Sequence, residues 1–441
     1  MIDSDKELND SPYNGTPYAN LDSDARSVLS DLENDKNQIG HGSFGRVYKS
    51  EYITKNNERI EVAVKKINIR KSEGFPLSAI REITILKQYN HPNIVKLIDT
   101  FVEKPKKNKR GNVSLVYEYA QHDLASLIKE KVDFKLDCIK SIMFQILNGV
   151  KYIHDSYILH RDIKPANILI TNKGEVKLAD FGLSRFYEKR KNKWKAYTNS
   201  VETLWYRAPE LLLSECYYKT SVDMWSVGCV MAELFIKSPL FKEQNIISQI
   251  KQILSFIGKP SESELQRYFK INEGGNSDFI NSILPEDNQC SNFEDNLEKM
   301  DKTGFLKKGS LSMDLIKGLL TFNVNKRLTA EQALKHEFFK DIKDLADARF
   351  PLSVKLKEDV LKNKEFHNEK IIFVKKKNWV IKEAKNNSII NSHFYCSKIP
   401  EKKGHIFRII DGYDLEEDKM EEEQPNQNEQ IQNWNTLDNF I

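Results

Sequence analysis

The run His160-Arg161-Asp162-Ile163-Lys164-Pro165-Ala166-Asn167, followed downstream by Asp180-Phe181-Gly182, holds the densest chemistry in the chain. Two carboxylates and a carboxamide in this order suit a phosphoryl-transfer centre. Asp162 is placed to accept the proton of an attacking hydroxyl, and Asn167 and Asp180 to hold metal ions that bridge nucleotide phosphates. Each string alone would read as a loop or turn. Together, and with the elements upstream, they point to catalysis.

Gly40-His41-Gly42-Ser43-Phe44-Gly45 lies between two strand-like segments. Its glycines let backbone approach phosphates closely. Alone it also fits a hairpin turn or a dinucleotide fingerprint. The fingerprint fails because Val47 and Tyr48 continue a strand where that fold needs a helix. Lys65 follows Val62-Ala63-Val64 on the next strand and is read as the amine contacting the α- and β-phosphates. Glu82, on the helix that follows, is its expected partner, fixing the ammonium group.

These groups need two kinds of scaffold. From Gln38 onward, strand-like runs at Val47-Tyr48, 62–64, 94–102 and 113–119 surround one helical stretch at 77–88, where Leu77, Ile80, Ile83 and Leu86 recur at helical spacing. After Asp123 the pattern turns helical. Ile139, Ile142, Met143, Ile146, Val150 and Ile153 mark one helix, and the nearly all-apolar 220–236 predicts a helix buried in a large lobe. Further helices are expected near 245–257, 311–320 and 330–338. The packed region is expected to end near Phe339.

Composition agrees with a soluble enzyme carrying polar tails. The chain has 441 residues, 39% hydrophobic and 30% charged, with a formal net charge of +4. No global charge demands nucleic acid or membrane. Residues 1–35 and 411–429 are acidic, and a basic run spans 104–110. The five cysteines show no metal-ligand spacing, so free thiols in a reducing compartment are expected. No apolar run approaches a membrane span and no signal peptide is legible, which predicts a cytosolic or nuclear protein. The expected units are a disordered acidic tail at 1–32, a small lobe at 33–120, a larger lobe at 121–340, and an extension at 341–441 whose last part is acidic and disordered.

Taken together, the Gly-rich loop, Val-Ala-Val-Lys, His-Arg-Asp, Asp-Phe-Gly and Ala208-Pro209-Glu210 resemble the eukaryotic protein kinases over roughly residues 35–340. Gly74-Phe75-Pro76-Leu77-Ser78-Ala79-Ile80-Arg81-Glu82 resembles the cyclin-binding helix of the cyclin-dependent kinases, and Leu204-Trp205-Tyr206-Arg207 their activation segment. Mitogen-activated kinases, close relatives, would show Thr-x-Tyr where this chain has Thr198-Asn199-Ser200. The resemblance implies a bilobal α+β fold, with a small antiparallel sheet plus one helix above a larger, mainly helical lobe. It also implies ATP and Mg2+ as cofactors. Lys164 then balances charge on the transferred phosphoryl group. Ile39, Val47, Ala63 and Leu169 sandwich the adenine, backbone groups of Glu118 and Ala120 bond its edge, Asp123 meets the ribose, and Gly40, Gly42 and Gly45 cover the phosphates. Tyr117 replaces the phenylalanine usual behind the adenine. Its hydroxyl is expected to narrow the rear cavity or bond a water there, altering inhibitor fit more than ATP binding.

Regulation follows from the same resemblance. Thr198 is the expected activating phosphosite, added by another kinase, with Arg81, Arg161 and Arg185 converging on its phosphate. A cyclin is expected against Phe75, Pro76, Leu77 and Ile80, swinging Glu82 toward Lys65. Ser43-Phe44 stands where cell-cycle members carry an inhibitory Thr-Tyr pair. Glu210 with Arg327, and Asp223, are read as architecture. Val201 and Glu202 match two positions of the family's proline pocket. Val201 is the usual residue, so substrates with Ser/Thr-Pro sites are expected, while Glu202 places a charge there that either faces solvent or alters that preference, and 189–195 offers a basic flank. Gly-Phe-Pro, the basic insertion and His122-Asp123-Leu124 resemble the transcriptional branch, which acts on the C-terminal repeats of RNA polymerase II in the nucleus. A cell-cycle kinase and a catalytically weak cyclin-binding scaffold stand as alternatives. No direct contact with nucleic acid or membrane is expected.

Overall fold

The computed structural model describes residues 37–42, 45–54, 56–69, 76–103, 111–187, 204–213, 218–261, 264, 283–284, 292–342 and 344. The acidic tails, the basic run at 104–110, Phe75, Thr198, Val201, Glu202 and the 189–195 flank lie outside these residues.

Alternation sets the first layer. Strands β1 (Gln38–Gly42), β2 (Gly45–Ile53), β3 (Arg59–Asn68), β4 (Leu97–Glu103) and β5 (Asn112–Glu118) form one antiparallel sheet in the order β1-β2-β3-β5-β4. On β3, Val62 and Val64 are fully buried on one face while Ala63 and Lys65 project from the other. Helix α1 (Leu77–Gln88) buries Ala79, Glu82, Ile83, Ile85 and Leu86. A charged residue within that apolar stripe marks where the helix does more than pack.

The remainder is mainly helical. Helix α2 (Leu124–Lys129) opens on the N-cap Asp123, and α3 (Leu136–Asp155) carries the predicted apolar stripe inward. Among the described residues, helices α4 (Pro209–Leu212), α5 (Ser221–Ile236), α6 (Ile246–Ile257), α7 (Phe293–Met300), α8 (Leu311–Leu319) and α9 (Ala330–Leu334) follow in this lobe. Every residue of α5 after Ser221 is buried, as its apolar circumference predicts. The layers match the bilobal α+β expectation.

Three local readings change. The strand expected from residue 94 begins at Leu97, because Asn93–Val95 bonds the other lobe: Val95 N donates to Leu178 O at 2.9 Å and Leu178 N to Asn93 O at 2.9 Å. The helix expected over 330–338 stops at Leu334, and His336 caps a separate short turn by accepting from Phe338 N. Helix α7 was not anticipated: its stripe of Phe293, Leu297 and Met300 is only three residues long, set among acidic and polar side chains, and of the three Leu297 alone is fully buried. Two small ribbons hold the loops between lobes: β6 (His122–Asp123), β8 (Ile168–Ile170) and β9 (Val176–Leu178) form one, and β7 (Ile158–Leu159) with β10 (Arg185–Phe186) the other. No helix among the described residues is long and apolar enough to cross a membrane.

Candidate active site

Lys65 joins three parts of the molecule. Its strand partners are Val47 on β2 and Leu115 on β5, and the pleat aims its side chain toward α1. Nζ lies 2.8 Å from Glu82 Oε2 and 2.9 Å from Asp180 Oδ1. Burial alone would lower the Lys65 pKa, but the Asp180 and Glu82 carboxylates outweigh it and raise it. Burial dominates at Glu82 and pushes its carboxyl up against the pull of Lys65. At Asp180 burial also acts upward, yet Lys65 prevails and the net shift is down. The sequence-predicted pair is therefore assembled, with Asp180 as a third member.

The Glu82 carboxylate has a second tether. Tyr117 Oη donates to Glu82 Oε1 at 2.7 Å. The rear hydroxyl expected to face a cavity or a water instead bonds α1. Burial, then the Glu82 charge, raises the Tyr117 pKa well above its usual value, so the phenol stays a donor.

The strands above the cleft are set by Gly45. A Cβ there would fall 2.2 Å from the backbone oxygen of Lys66, so only glycine lets β2 start so close to β3. Gly40 and Gly42 lie on β1, with Gly42 opposite Gly45 in register. Ile39, Val47, Ala63 and Leu169 are half-buried, while Ala120 is buried at the junction between lobes. Glu118 ends β5, and its amide donates to Lys96 O at 3.0 Å. Its side chain accepts from Lys96 N at 2.7 Å and pairs with Lys177 Nζ at 3.0 Å, which locks the junction. Asp123, expected at a ribose, is 3% exposed and accepts from both Ser126 N at 2.8 Å and Ser126 Oγ at 2.7 Å. It caps α2, a duty the sequence reading missed although the residue type before a helical run signals it.

Below the cleft, Lys164 Nζ and Asn167 Nδ2 both donate to Asp162 Oδ2, at 2.7 and 2.8 Å. Asn167 Nδ2 also reaches Asp162 O at 2.8 Å. Asp223 fastens the loop from beneath. Its Oδ1 accepts from Arg161 N at 2.8 Å, and its Oδ2 from His160 N at 2.9 Å and lies 2.8 Å from His154 Nε2. Burial would raise the Asp223 pKa, but the His154 hydrogen bond and charge lower it. His160 is fully buried, which lowers its pKa. Its Nε2 lies 3.1 Å from Ala179 O and its Nδ1 accepts from Asp162 N at 3.3 Å, so the neutral ring carries its proton on Nε2. Arg161 and Asp180 hold positive φ, 72° and 64°, the backbone strain that concentrates at functional sites.

The three arginines expected around Thr198 each contact a different residue. Arg81 donates to Gly182 O at 3.4 Å, Arg185 to Ser184 O at 3.1 Å, and the Arg161 guanidinium lies 5.7 Å from the centre of the Tyr218 ring. Leu77 is 54% exposed on the outward side of α1, and Ile80 is half-buried there.

Residues 34–339 match the protein kinase domain family. The chain belongs to the protein kinase family. Phosphoryl transfer from ATP is that family's chemistry. Among similar curated proteins is cyclin-dependent kinase G-2 of Oryza sativa subsp. indica, 39% identical over 308 residues, covering 69% of this chain and 41% of that protein. Cyclin-dependent kinase 12 of Caenorhabditis elegans is 39% identical over 312 residues, covering 69% and 40%. The CTD kinase subunit alpha of Saccharomyces cerevisiae is 37% identical over 306 residues, covering 69% and 54%. The resemblance to cyclin-dependent kinases read from the motifs is borne out by these relatives. The kinase spans 41 to 42% of the length of the first relatives it matches.

Proposed function

We propose that this kinase transfers the γ-phosphoryl group of ATP to serine or threonine in Ser/Thr-Pro sites of the RNA polymerase II C-terminal repeats, in the nucleus and with a cyclin. The observation that carries the chemistry is the Asp162 carboxylate, held at one oxygen by Lys164 and Asn167 beside the closed Lys65–Glu82–Asp180 cluster. Asp162 orients the substrate hydroxyl and takes its proton. Lys164 then stabilises charge on the moving phosphoryl group, and Lys65, fixed by Glu82, holds the α- and β-phosphates. The half-buried Ile39, Val47, Ala63 and Leu169 enclose the adenine, whose edge meets the Glu118 carbonyl and the Ala120 backbone. An Asp123 contact to ribose would use lone pairs beyond its two cap bonds.

Asn167 and Asp180 supply oxygen donors, the kind a hard cation takes, and the Asn167 amide nitrogen is already committed to Asp162. They would hold Mg2+, which when bound neutralises phosphate charge. Leu77 and Ile80, with Pro76 and Phe75, form the proposed cyclin contact. Phosphorylation of Thr198 by an activating kinase would draw on Arg81, Arg161 and Arg185. The names of the relatives support the polymerase substrate.

Two experiments test the reading. Native co-purification should recover a cyclin with the full chain. In peptide assays, polymerase repeats should be phosphorylated in preference to linker-histone sites; the reverse order would favour a cell-cycle role.

A further inference from the structure

Tyr117 faces away from solvent, 7% exposed, between Ala63 on β3 and Leu97 on β4 in the sheet register. Its hydroxyl reaches past the back of the cleft to α1 and donates to Glu82 Oε1 at 2.7 Å, while Lys65 takes Glu82 Oε2 at 2.8 Å. Each oxygen of this buried carboxylate thus bonds a side chain from a different strand, β5 and β3. The Lys65 bond alone leaves Glu82 free to rotate about a single contact. Two bonds at an angle fix both its position and the helix that carries it.

We propose that Tyr117 is a positioning residue that latches α1 inward through Glu82, so that the Lys65–Glu82 pair is held from inside the small lobe as well as by the proposed cyclin contact on the outer side of α1. This rests on the proposed use of that pair in phosphoryl transfer. A hydrogen bond to a buried charge is among the stronger ones, and its loss leaves Glu82 Oε1 without that donor in a site where water does not replace it. α1 then spends more time outward, and the population with Lys65 correctly held falls. The adenine edge is met by Glu118 and Ala120, not by the Tyr117 hydroxyl, so nucleotide affinity depends on it little.

The test compares full-length wild type, Tyr117→Phe and Lys65→Met, using phosphorylation of a Ser-Pro repeat peptide and hydrogen exchange of the α1 amides. Tyr117→Phe keeps the ring and removes only the hydroxyl, and its thermal midpoint is measured alongside. The expected result is a fall in kcat of about 10-fold, equivalent to about 1.4 kcal/mol, with KM for ATP changed less than about 2-fold. Exchange over 77–88 should quicken while exchange over α5 does not. Unchanged kcat, or a lower kcat with unchanged α1 exchange, would overturn the latch. An equal rise in exchange across both lobes would likewise overturn it, as general loosening. Lys65→Met separates the two claims: if it retains activity, the proposed role of the ion pair fails; if it is inactive while Tyr117→Phe matches wild type, only the latch fails.

Discussion

Asp223 shows how a residue that never meets substrate governs one that would. Its carboxylate gathers the backbone N–H groups of His160 and Arg161 and the ring of His154, all within 2.9 Å. Removing it leaves buried donors unpaired next to a residue at positive φ. Asp223→Ala should lower kcat by about 10- to 100-fold and cost about 3 kcal/mol of stability, measured by steady-state kinetics and chemical denaturation. At this scale much was legible. Asp162, Asn167, Asp180, Lys65 and Glu82 were named from types and order, and Lys164 from the kinase resemblance, because phosphoryl transfer asks for particular residue types at those positions. The bonds from Tyr117 to Glu82 and from Glu118 to Lys177 were not, since partners far apart in sequence leave no local pattern. Asp123 was assigned to a ribose while its capping of α2, a local signal, went unread.

Gly45 and Asp123 act at the level of elements. Gly45→Ala would drive a Cβ into the Lys66 carbonyl, so β2 must shift away from β3 and carry the roof of the cleft with it. The expected outcome is a rise in KM for ATP of about 10-fold or more, read in a nucleotide titration; an unchanged KM would show that the sheet absorbs the clash. Asp123→Ala should lower stability by about 1 kcal/mol through loss of the α2 N-cap. Helix α5 was predicted correctly because its apolar residues run all round, and α1 because its stripe is regular. Helix α7 escaped because it is eight residues long and its three apolar positions, Phe293, Leu297 and Met300, are too few to stand out from the polar residues between them. The small ribbons escaped because strands of two or three residues are fixed by tertiary pairing rather than by their own sequence.

The whole molecule depends on buried charges that tie elements across the larger lobe. Arg327 and Glu210, 3% and 1% exposed, form a bidentate pair at 2.7 and 3.0 Å, and the guanidinium also donates to the carbonyls of Thr321, Ser221 and Phe322. Breaking it by Arg327→Ala strands a buried carboxylate and should cost about 3–5 kcal/mol, seen as a lower denaturation midpoint. Glu233 sets a pH dependence. Burial raises its pKa from 4.5 to about 7, with the Tyr206 hydroxyl and Lys242 opposing. The folded state therefore holds this proton more tightly than the unfolded chain does. The stability it contributes is complete below about pH 4.5 and is lost as pH rises toward about 7, on the order of 3 kcal/mol. Glu233→Gln should flatten that slope while still accepting from Tyr206; an unaltered slope would place the titration elsewhere.

The central claim is that Asp162 serves phosphoryl transfer to a hydroxyl. Its most direct test is transfer of labelled phosphate from ATP to a Ser-Pro repeat peptide by the full chain with its co-purified partner, compared with Asp162→Asn. The substitution keeps shape and removes the base. A general base contributes about 10²- to 10⁴-fold, so transfer by Asp162→Asn should fall by about that factor with nucleotide binding intact. Equal transfer by the two proteins would contradict the account.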